Sequence, residues 1–382
     1  MRVLITSLAS SQRLCEALLR HAGLEVATVQ PAFADLGDFG VTRTEARSDL
    51  PYLLRPARVF PVRPYPYSLY LNGVAPVLRS FRPQVLYHVG EPSELGTAQI
   101  VRLARKLRPG IRIVLFALEN VERQWRGFPR CLRGWAQRRT LPRVDLIAAC
   151  THTAEALLVR QGFDPQRIRV VYAGVDAQHF RRRDPTELRA KLDVRDAFLV
   201  GYVGRLVHEK GVDVLLKALA KLPQQFLPAI AGTGCCEPEL RALAADLNLE
   251  GRVRWLGGVS PDRMPEYLSA FDVLVLPSRG IPVWQEQFGR VLAEAMLCQT
   301  PVVGSSSGAI PEVIGQAGLV FPEGDAQALA ECLLRLEQDS ALREELARCG
   351  LQRARQEFTL DVFTERLVSI FHEALDLPAA PS

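Results

Sequence analysis

The feature that most constrains the fold of this chain is a regular alternation of short apolar runs with segments that have helical spacing. A first series extends from Val3 to Tyr172, and a second begins at Phe198 after an irregular, charged stretch at 174–195. Strands that alternate with helices form a parallel sheet covered by helices, and right-handed crossovers make that sheet doubly wound. The sequence therefore predicts an α/β protein with two Rossmann-like doubly wound domains that face each other across a cleft.

The length of 382 residues suffices for two ordinary domains. We place the first domain at 1–176 and a linker or hinge at 177–197. The second domain then occupies 198–355, and an amphipathic helix with a tail occupies 356–382. The proline-rich stretch at 43–76 has no clean period, so we predict an irregular excursion there.

The net charge of +5 hides two halves of opposite sign. Residues 1–190 carry 29 Lys and Arg against 16 Asp and Glu, whereas residues 191–382 carry 18 against 26. The stretch from Arg102 to Arg143 alone holds 12 basic and 2 acidic residues. This charge favours an anionic partner such as phospholipid headgroups, a phosphorylated acceptor or nucleic acid. The alternative is a solvated face in an arginine-rich chain, since arginine supplies 42 of the 47 basic residues.

Within that stretch, the segment Arg123 to Arg139 predicts a peripheral membrane contact. At helical spacing, its apolar side chains could enter a membrane interface while its arginines face anionic headgroups. The alternative is that the aromatic residues are core and the arginines merely solvated, and Pro129 and Gly134 weaken a single helix. The sequence contains no recognised nucleic-acid-binding motif, so no nucleic acid is expected as a partner. The interleaved residues are Trp125, Arg126, Phe128, Arg130, Leu132, Arg133, Trp135 and Arg138.

Sequence features that report on location favour the cytoplasm, with contact on the inner face of the cell membrane as an extension. No apolar run reaches the roughly 18 residues of a membrane span, and Met1 to Ser10 lacks the pattern of a signal peptide. The eight cysteines contain no CxxC pair and lie mostly in apolar stretches, as reduced thiols do. Cys235 and Cys236 are either a redox pair or simple loop neighbours.

Three loops that follow strands of the second domain carry residues suited to a phosphorylated ligand. Arg205 and Lys210 follow the first strand and can hold a diphosphate. Small residues at 232–234 let a ligand approach the backbone of the second loop. Gly289 precedes a helix at 290–297, whose first N–H groups and partial positive charge attract a phosphate.

Two glutamates belong to the same constellation. Glu294 lies about 7–8 Å along the helix axis from its start, where its carboxylate can accept two hydrogen bonds from a ribose diol. Glu286, at the mouth of the helix, faces a sugar. Helices often carry such pairs, so the glutamates gain meaning only from the sequence around them.

These residues resemble the retaining glycosyltransferases of family four, which include glycogen synthase-like and phosphatidylinositol mannosyltransferase-like enzymes. Four blocks occur in family order between Gly201 and Asp325, and the spacing of Glu286 and Glu294 is similar to that of two family glutamates. The blocks are VGRLVHEKGVDVLLKAL, AGTG, WLGGVSPDRMPEYLSAFDVLVLPSR and EQFGRVLAEAMLCQTPVVGSSSGAIPEVI.

The resemblance implies a GT-B fold whose C-terminal helix crosses back to the first domain. It implies retaining transfer of a sugar from a UDP- or GDP-sugar to a hydroxyl of a glycan or lipid-linked acceptor, in envelope, exopolysaccharide or glycolipid biosynthesis. No metal or other cofactor is expected, and the chain has no Asp-x-Asp pair.

The resemblance also implies roles for single residues. Arg205 and Lys210 would neutralise the donor diphosphate, Glu294 would bind the ribose, and Glu286 would contact the donor sugar. Backbone N–H groups near Phe288 would stabilise the leaving group. The full set of donor-binding residues implied is Gly204, Arg205, Lys210, Gly232, Gly234, Glu286, Gln287, Phe288, Gly289, Arg290 and Glu294.

The first domain departs from the family at two places. The Gly-rich loop after the first strand is replaced by Ser7 to Gln12, and a stretch where many relatives have a histidine reads Val114 to Asn120. We predict that Glu119 orients the acceptor hydroxyl, with His88 as the alternative catalytic candidate. A histidine at a strand end also serves a purely structural role in many proteins.

Three other functions fit parts of the sequence. Gly304 to Gly308 matches the GxSxG elbow of serine hydrolases around Ser306, with Asp325 and His372 following, but Pro311 and Gly315 interrupt the helix that this elbow requires. A nicotinamide site is disfavoured because Gly232 and Gly234 lack the third glycine of that fingerprint. The remaining alternative is a nucleotide-sugar-binding subunit that has lost turnover.

Overall fold

The computed structural model divides the chain into two compact units. The first unit is Met1–Val171 with Phe363–Ser382, and the second unit is Tyr172–Val362. The structure describes residues 1–8, 11–35, 41–61, 68–122, 127–194 and 197–378.

The first unit is built on a seven-stranded sheet with short accessory strands. Its elements up to residue 171 are β1 (Arg2–Thr6), α1 (Gln12–Leu18), β2 (Glu25–Pro31), β3 (Phe33–Asp35), β4 (Val41–Arg43), β5 (Leu53–Ala57), β6 (Val59–Phe60), β7 (Leu69–Tyr70), α2 (Val74–Ser80), β8 (Val85–Val89), α3 (Leu95–Leu107), β9 (Arg112–Ala117), α4 (Gly127–Thr140), β10 (Leu146–Ala149), α5 (His152–Arg160) and β11 (Ile168–Val170).

The second unit is built on a six-stranded sheet, and one further helix then returns the chain to the first unit. The elements are α6 (Thr186–Lys191), β12 (Phe198–Val203), α7 (Val212–Leu219), β13 (Phe226–Ala231), α8 (Glu237–Asp246), β14 (Arg254–Gly257), α9 (Met264–Ala270), β15 (Val273–Leu276), α10 (Arg290–Leu297), β16 (Val302–Ser305), α11 (Ile310–Ile314), β17 (Gly318–Phe321), α12 (Ala326–Gln338), α13 (Ser340–Glu357) and α14 (Leu360–Asp376).

Both main sheets are parallel and doubly wound. The strand order is β11-β10-β9-β8-β1-β2-β5 in the first unit and β14-β13-β12-β15-β16-β17 in the second. The order reverses between β1 and β8 in one sheet and between β12 and β15 in the other. In open α/β sheets ligands bind at this reversal, outside the carboxyl ends of the strands. The topology therefore gives each unit one preferred ligand position.

The central strands are apolar because helices cover both faces of a parallel sheet. All four residues of β10 and all four of β15 are buried, and neither strand alternates polar with apolar positions. This is why the sequence shows continuous apolar runs at these strands. The predicted alternation of strands and helices, and with it the two-sheet fold class, is confirmed.

The expectation of an irregular excursion at 43–76 was wrong for part of the stretch. Leu53–Ala57 forms β5, which pairs in parallel with β2 at the edge of the main sheet. Pro56 obscured this strand in the sequence, because proline cannot donate to a sheet ladder. An edge strand tolerates proline, since one of its sides has no partner strand to receive a hydrogen bond.

The segment predicted as a linker, 177–197, lies in the second unit as far as it is described. The Arg189 side chain fastens α6 to the start of β15, since its Nη1 lies 3.0 Å from Oδ2 of Asp272 and donates to the carbonyl of Ala270. The contact boundaries fall instead at 171/172 and 362/363.

The C-terminal helix packs on the first unit, as predicted. In α14, Phe371 lies 5.7 Å from the Tyr87 ring and Phe363 lies 5.5 Å from the Phe116 ring, both in edge-on geometry. Such aromatic pairs add stability beyond their buried area. The last helix therefore completes the core of the unit that opens the chain.

The arginine-rich helix α4 is continuous from Gly127 to Thr140, although Pro129 and Gly134 suggested a break. Pro129 lies in the first helical turn, where its missing N–H has no intrahelical partner to lose. Residues 123–126 lie outside the described part of the chain. Among the described helices, none combines the length and the apolar character that crossing a bilayer requires.

A buried ion pair stabilises the first unit. Nη2 of Arg105 lies 2.7 Å from Oδ2 of Asp145, and the two side chains are 6% and 1% exposed. The same carboxylate oxygen accepts the N–H of Ile113 at 2.7 Å. Asp145 thus joins α3, β9 and the start of β10.

Replacing Asp145 with Ala should lower the free energy of unfolding by about 3–5 kcal/mol, because it leaves a buried guanidinium without its partner. Urea unfolding followed by circular dichroism measures the change. The matched control is Asp49→Ala, which removes a solvent-exposed ion pair with Arg47 and should leave the midpoint unchanged. Equal midpoints for the two variants would contradict the assignment.

Candidate functional site

The principal candidate site lies in the second unit, at the reversal of strand order between β12 and β15. The loop after β12 carries Arg205 and Lys210, and the loop after β15 carries Ser278 and Glu286. Because both strands are parallel neighbours, their carboxyl ends meet at the same sheet edge. Side chains that are 76 positions apart in the sequence are thereby brought into contact.

The centre of the site is an ion pair between Lys210 and Glu286. Nζ of Lys210 lies 2.6 Å from Oε2 of Glu286, and the two side chains are 14% and 9% exposed. The ammonium also lies 4.8 Å from the centre of the Trp284 ring, within the range of a cation–π contact. A lysine that is this desolvated needs a negative partner, and Glu286 supplies it.

Glu286 is held in place by its side chain and its backbone. Ser278 Oγ donates to Oε2 of Glu286 at 2.8 Å, and the N–H of Ala309 donates to the Glu286 carbonyl at 2.9 Å. Gly308, with φ +53°, approaches so closely that a β-carbon there would lie 2.3 Å from this carbonyl oxygen. The loop after β16 therefore fixes the backbone of Glu286, and only glycine fits at position 308.

Further contacts, which no sequence pattern predicts, position the loop that carries Glu286. The N–H of Arg279 donates to the Glu209 carbonyl at 2.8 Å, and the N–H of Gly280 donates to Oε1 of Glu323 at 2.7 Å. Arg279 also pairs with Asp213 at the start of α7. These contacts involve distant parts of the chain, so no local motif signals them.

Gly232 and Gly234 let neighbouring backbone segments pack closely, whereas the approach of a ligand to this backbone stays a prediction. A β-carbon on Gly232 would lie 1.8 Å from the carbonyl oxygen of Gly204, and one on Gly234 would lie 2.3 Å from that of Leu206. The N–H of Leu206 donates to the carbonyl of Thr233, which extends the contact between β12 and β13 beyond the strands. The two loops thus form one continuous backbone surface beside Arg205.

Arg205 lies on the same loop as Lys210 and is mostly buried. Its Nη2 is 3.5 Å from Oε1 of Glu209, and the two side chains are 21% and 19% exposed. Its carbonyl accepts the hydroxyl of Tyr202 at 2.7 Å, which fixes the turn after β12. The loop therefore presents two cations at the sheet edge, each already accompanied by a glutamate.

Helix α10 begins at Arg290 with Gly289 as its N-cap, in agreement with the predicted helix. Gly289 has φ +75°, a conformation that favours glycine, and Phe288 before it is buried beside Tyr172. Oε1 of Glu294 lies 3.0 Å from Nε of Arg290, which is itself 58% exposed. Gln287 is half-buried on the same loop. The predicted donor-binding residues of this loop and helix therefore form one continuous segment.

The first unit has a cluster of buried carboxylates at its own reversal of strand order, and sequence reasoning found only part of it. Glu91 and Glu94 follow β8, and Glu119 follows β9. Oε1 of Glu91 accepts the N–H groups of Leu118 and Glu119 at 2.7 and 2.8 Å. Glu91 thus positions the backbone of Glu119, the residue predicted to orient an acceptor.

Arg133 lies against this cluster and does not face solvent. Its Nη2 lies 3.4 Å from Oε2 of Glu119 and donates to Oγ of Ser93 at 2.6 Å. The Arg133 side chain is 7% exposed. The alternative in which all arginines of the segment 123–139 are solvated is therefore wrong for Arg133. Spacing along the helix gave no indication that this arginine turns inward.

His88 is buried and bonded through both ring nitrogens. Nδ1 lies 2.8 Å from Oγ1 of Thr6, and Nε2 lies 3.0 Å from Oγ1 of Thr97. Burial lowers the pKa of His88 to about 4, so the ring is neutral at physiological pH. This geometry favours the structural alternative for His88, which joins β1, β8 and α3.

Burial has the opposite effect on the neighbouring carboxyls. It raises the pKa of Glu91 to about 7, with the charge of Glu119 adding to the shift, and raises the pKa of Glu94 to about 8, with Glu91 adding. Both groups change protonation near neutral pH, where acid–base chemistry operates.

The serine-hydrolase elbow is not formed. Oγ of Ser306 accepts the N–H of Glu323 at 3.0 Å, and Asp325 caps the start of α12 with its side chain. The five-residue helix α11 begins only at Ile310, four positions after the serine. A nucleophile elbow requires a longer helix that follows its serine directly.

Comparison with known proteins identifies both halves of the chain. Residues 10–179 match the family Glycosyltransferase Family 4, and residues 184–353 match the family Glycosyl transferases group 1. A D-inositol 3-phosphate glycosyltransferase of Acidothermus cellulolyticus is 34% identical over 260 residues, which are 62% of this chain and 56% of that protein. A protein of the same name from Nocardioides sp. is 33% identical over 233 residues, 55% of this chain and 50% of that protein. The chain therefore spans about half the length of the curated relatives it matches.

The fold is similar to that of HepE from Anabaena, solved in complex with UDP-glucose. The TM-score is 0.70 at 21% identity, and the match covers 98% of this chain and 100% of that one. At this level of identity the likeness concerns the fold alone, and it confirms the GT-B fold class.

The raised carboxyl pKa values predict how stability depends on pH. A carboxyl whose pKa is raised in the folded state stays protonated there after it has ionised in the unfolded chain. Its contribution to stability is therefore complete below pH 4.5, its ordinary pKa, and is lost as the pH rises toward the raised pKa. The thermal midpoint should therefore fall between pH 5.5 and pH 8.5. In Glu94→Gln the fall should be smaller by about 2–4 °C.

Calorimetry at the two pH values measures this difference. Glu365→Gln, an exposed substitution on α14, should keep the slope of the unchanged protein. A Glu94→Gln protein with that same slope would show that Glu94 is ionised throughout.

Proposed function

Because the chain belongs to the glycosyltransferases of family 4 and group 1, we propose that it transfers a sugar from a nucleotide-diphosphate sugar to an acceptor hydroxyl. The observation that carries this proposal is the buried pair of Lys210 and Glu286 at the strand-order reversal of the second unit. It combines a desolvated cation for a diphosphate with a carboxylate that can accept hydrogen bonds from sugar hydroxyls.

The second unit would bind the donor. Arg205 and Lys210 would face the diphosphate. Its oxygens would pair with these two cations, either together with Glu209 and Glu286 or in their place. The N-terminus of α10 would add backbone N–H groups and a partial positive charge. Glu294 would accept hydrogen bonds from the ribose diol.

These groups would act where negative charge develops as the bond between sugar and diphosphate breaks. Fixed cations and amides stabilise that charge without reorganising during the reaction. In the retaining reaction that we propose, the acceptor hydroxyl attacks from the face that the nucleotide leaves. A diphosphate oxygen then takes the hydroxyl proton, so Glu286 has only to hold the sugar.

The first unit would orient the acceptor. Glu119 lies at the carboxyl end of β9, its backbone fixed by Glu91 and its carboxylate accompanied by Arg133. A carboxylate so fixed can hold an acceptor hydroxyl by accepting its hydrogen. We regard His88 as part of the support beneath this position because both of its ring nitrogens are occupied.

The relatives bear on the substrates. Two are named D-inositol 3-phosphate glycosyltransferases, and HepE was solved with UDP-glucose. We propose a UDP- or GDP-sugar as donor and a glycan or lipid-linked hydroxyl as acceptor, in envelope, exopolysaccharide or glycolipid biosynthesis, by a protein of the cytoplasm.

A second candidate is a subunit that binds a nucleotide sugar without turnover. It is favoured by one observation: the stretch 114–120, where the resemblance leads one to expect a histidine, contains none. His88, the alternative candidate, is only 3% exposed. Release of free nucleotide from the donor would exclude it, whereas saturable donor binding without transfer or hydrolysis would support it.

The proposal predicts donor binding that depends on Glu294. A panel of UDP- and GDP-sugars should contain one that raises the thermal midpoint by mass action. Glu294→Ala should abolish this shift because the ribose loses its acceptor. Glu345→Ala, an exposed change on α13, should retain it. A full shift in the Glu294 variant would contradict the assignment of the ribose site.

Lys210→Gln should lower kcat about 100- to 1000-fold, since it removes one cation from the developing charge. Transfer is followed by nucleotide release with the donor found in the thermal screen. Lys221→Gln is the control, because Lys221 is exposed and lies outside the contacts that position the site. A Lys210 variant as active as this control would overturn the diphosphate site.

A further inference from the structure

A groove in the first unit shares no lining residue with the carboxylate cluster and has no role in the proposed transfer. It runs between α3 and α4 and has a volume of about 490 Å³. That volume falls within the range of about 300–1,000 Å³ that is common for small-molecule sites. Its lining contains apolar and basic side chains and no carboxylate.

Helix α3 supplies one wall and gives the groove two ends of different character. Its groove-facing residues are Leu95, Ala98 and Gln99 in the first half and Arg102, Leu103 and Lys106 in the second. From Leu95 to Lys106 the helix rises about 16 Å. Along this wall the two cations therefore lie at one end, and apolar side chains occur in both halves.

The opposite wall carries an exposed aromatic side chain and two further cations. Trp135 on α4 is 45% exposed, and the Arg139 guanidinium lies 5.4 Å from the centre of its ring. Arg143, one turn further on, donates from Nη1 to the carbonyl of Arg139 at 2.9 Å. Leu69 of β7 adds to the apolar lining.

The four cations of the groove have no anionic partner within the described part of the chain. Arg102, Lys106, Arg139 and Arg143 form no ion pair with any described carboxylate. The nearby Asp145 is already neutralised by Arg105 and Arg112 beneath the surface. Four positive charges that converge on one groove match a phosphate, which carries up to two negative charges and several acceptor oxygens.

We propose that this groove binds one anionic phospholipid, with the lipid phosphate among the four cations and part of an acyl chain against the apolar lining. The apolar lining favours a lipid over free phosphate, because phosphate gains nothing from Leu95, Leu103 or Trp135. One lipid molecule binds in the groove of each protein molecule. This mode differs from the adsorption of a basic protein surface to a membrane. Three of its determinants, Arg102, Lys106 and Arg143, lie outside the segment 123–139 that the sequence singled out.

The test uses the full chain and water-soluble short-chain lipids below their micelle concentration. The probes are dihexanoyl phosphatidic acid, dihexanoyl phosphatidylcholine and inorganic phosphate, each titrated by isothermal calorimetry. Phosphatidic acid should bind with a stoichiometry of one. The zwitterionic lipid and inorganic phosphate should each bind at least about tenfold more weakly, because one lacks net charge and the other lacks a chain.

Variants locate the binding. Arg102→Gln with Lys106→Gln should weaken phosphatidic acid binding about tenfold. The matched control, Arg79→Gln with Arg160→Gln, removes two exposed arginines elsewhere on the same unit and should leave binding unchanged. Trp135→Ala should weaken the lipid but not inorganic phosphate, which separates the apolar contact from the ionic one.

Three results would overturn the proposal. Equal binding of inorganic phosphate would reassign the groove to a free anion, and equal binding of phosphatidylcholine would remove the role of charge. Equal losses in the groove variant and the control would show binding at a diffuse basic surface. Donor binding in the second unit, measured by the thermal shift, is independent of all three results.

Discussion

A lysine ammonium that is almost completely removed from water is the constraint on which the candidate donor site depends. Desolvation of a charge is costly unless an opposite charge lies within contact distance. Glu286 meets this requirement for Lys210 at 2.6 Å, and Ser278 and Ala309 fix Glu286 in turn. The site is therefore preorganised before any ligand arrives. In the proposed function, an incoming diphosphate would replace one anion by another beside the same cation.

The two units place their functional groups at equivalent positions of their sheets but give them opposite chemistry. In the second unit, the strand-order reversal carries Arg205 and Lys210, which suit an anionic ligand. In the first unit, it carries Glu91 and Glu94, with Glu119 after the neighbouring strand β9, and burial raises the pKa of Glu91 and Glu94 toward neutrality. The formal charges run the other way, since the first half of the chain is basic and the second half acidic. The residues placed at the carboxyl end of each sheet, rather than the net charge of that half of the chain, therefore decide which ligand each unit can bind.

The basic excess of the first half is divided among three physical roles. Arg105 neutralises the buried Asp145 and so stabilises the core. Arg133 turns inward to Ser93 and Glu119 beside the carboxylate cluster. Arg102 and Lys106 remain exposed in the groove between α3 and α4. One stretch of sequence with a single compositional signal thus contains structural, site-supporting and surface cations.

The sequence by itself determined the alternation of strands and helices, the second-unit loops and the family resemblance, because these depend on short-range spacing and contiguous motifs. The start of α10 at Arg290 after Gly289 is one such local feature. Only the tertiary structure joined Lys210 to Glu286, brought Glu91 beneath Glu119 and turned Arg133 inward, since these contacts form between distant segments. It also turned the stretch around Pro56 into an edge strand, which no local pattern indicated. Spacing fixes which face a side chain shares with its neighbours, whereas packing between elements decides which charges lose their water and need a partner.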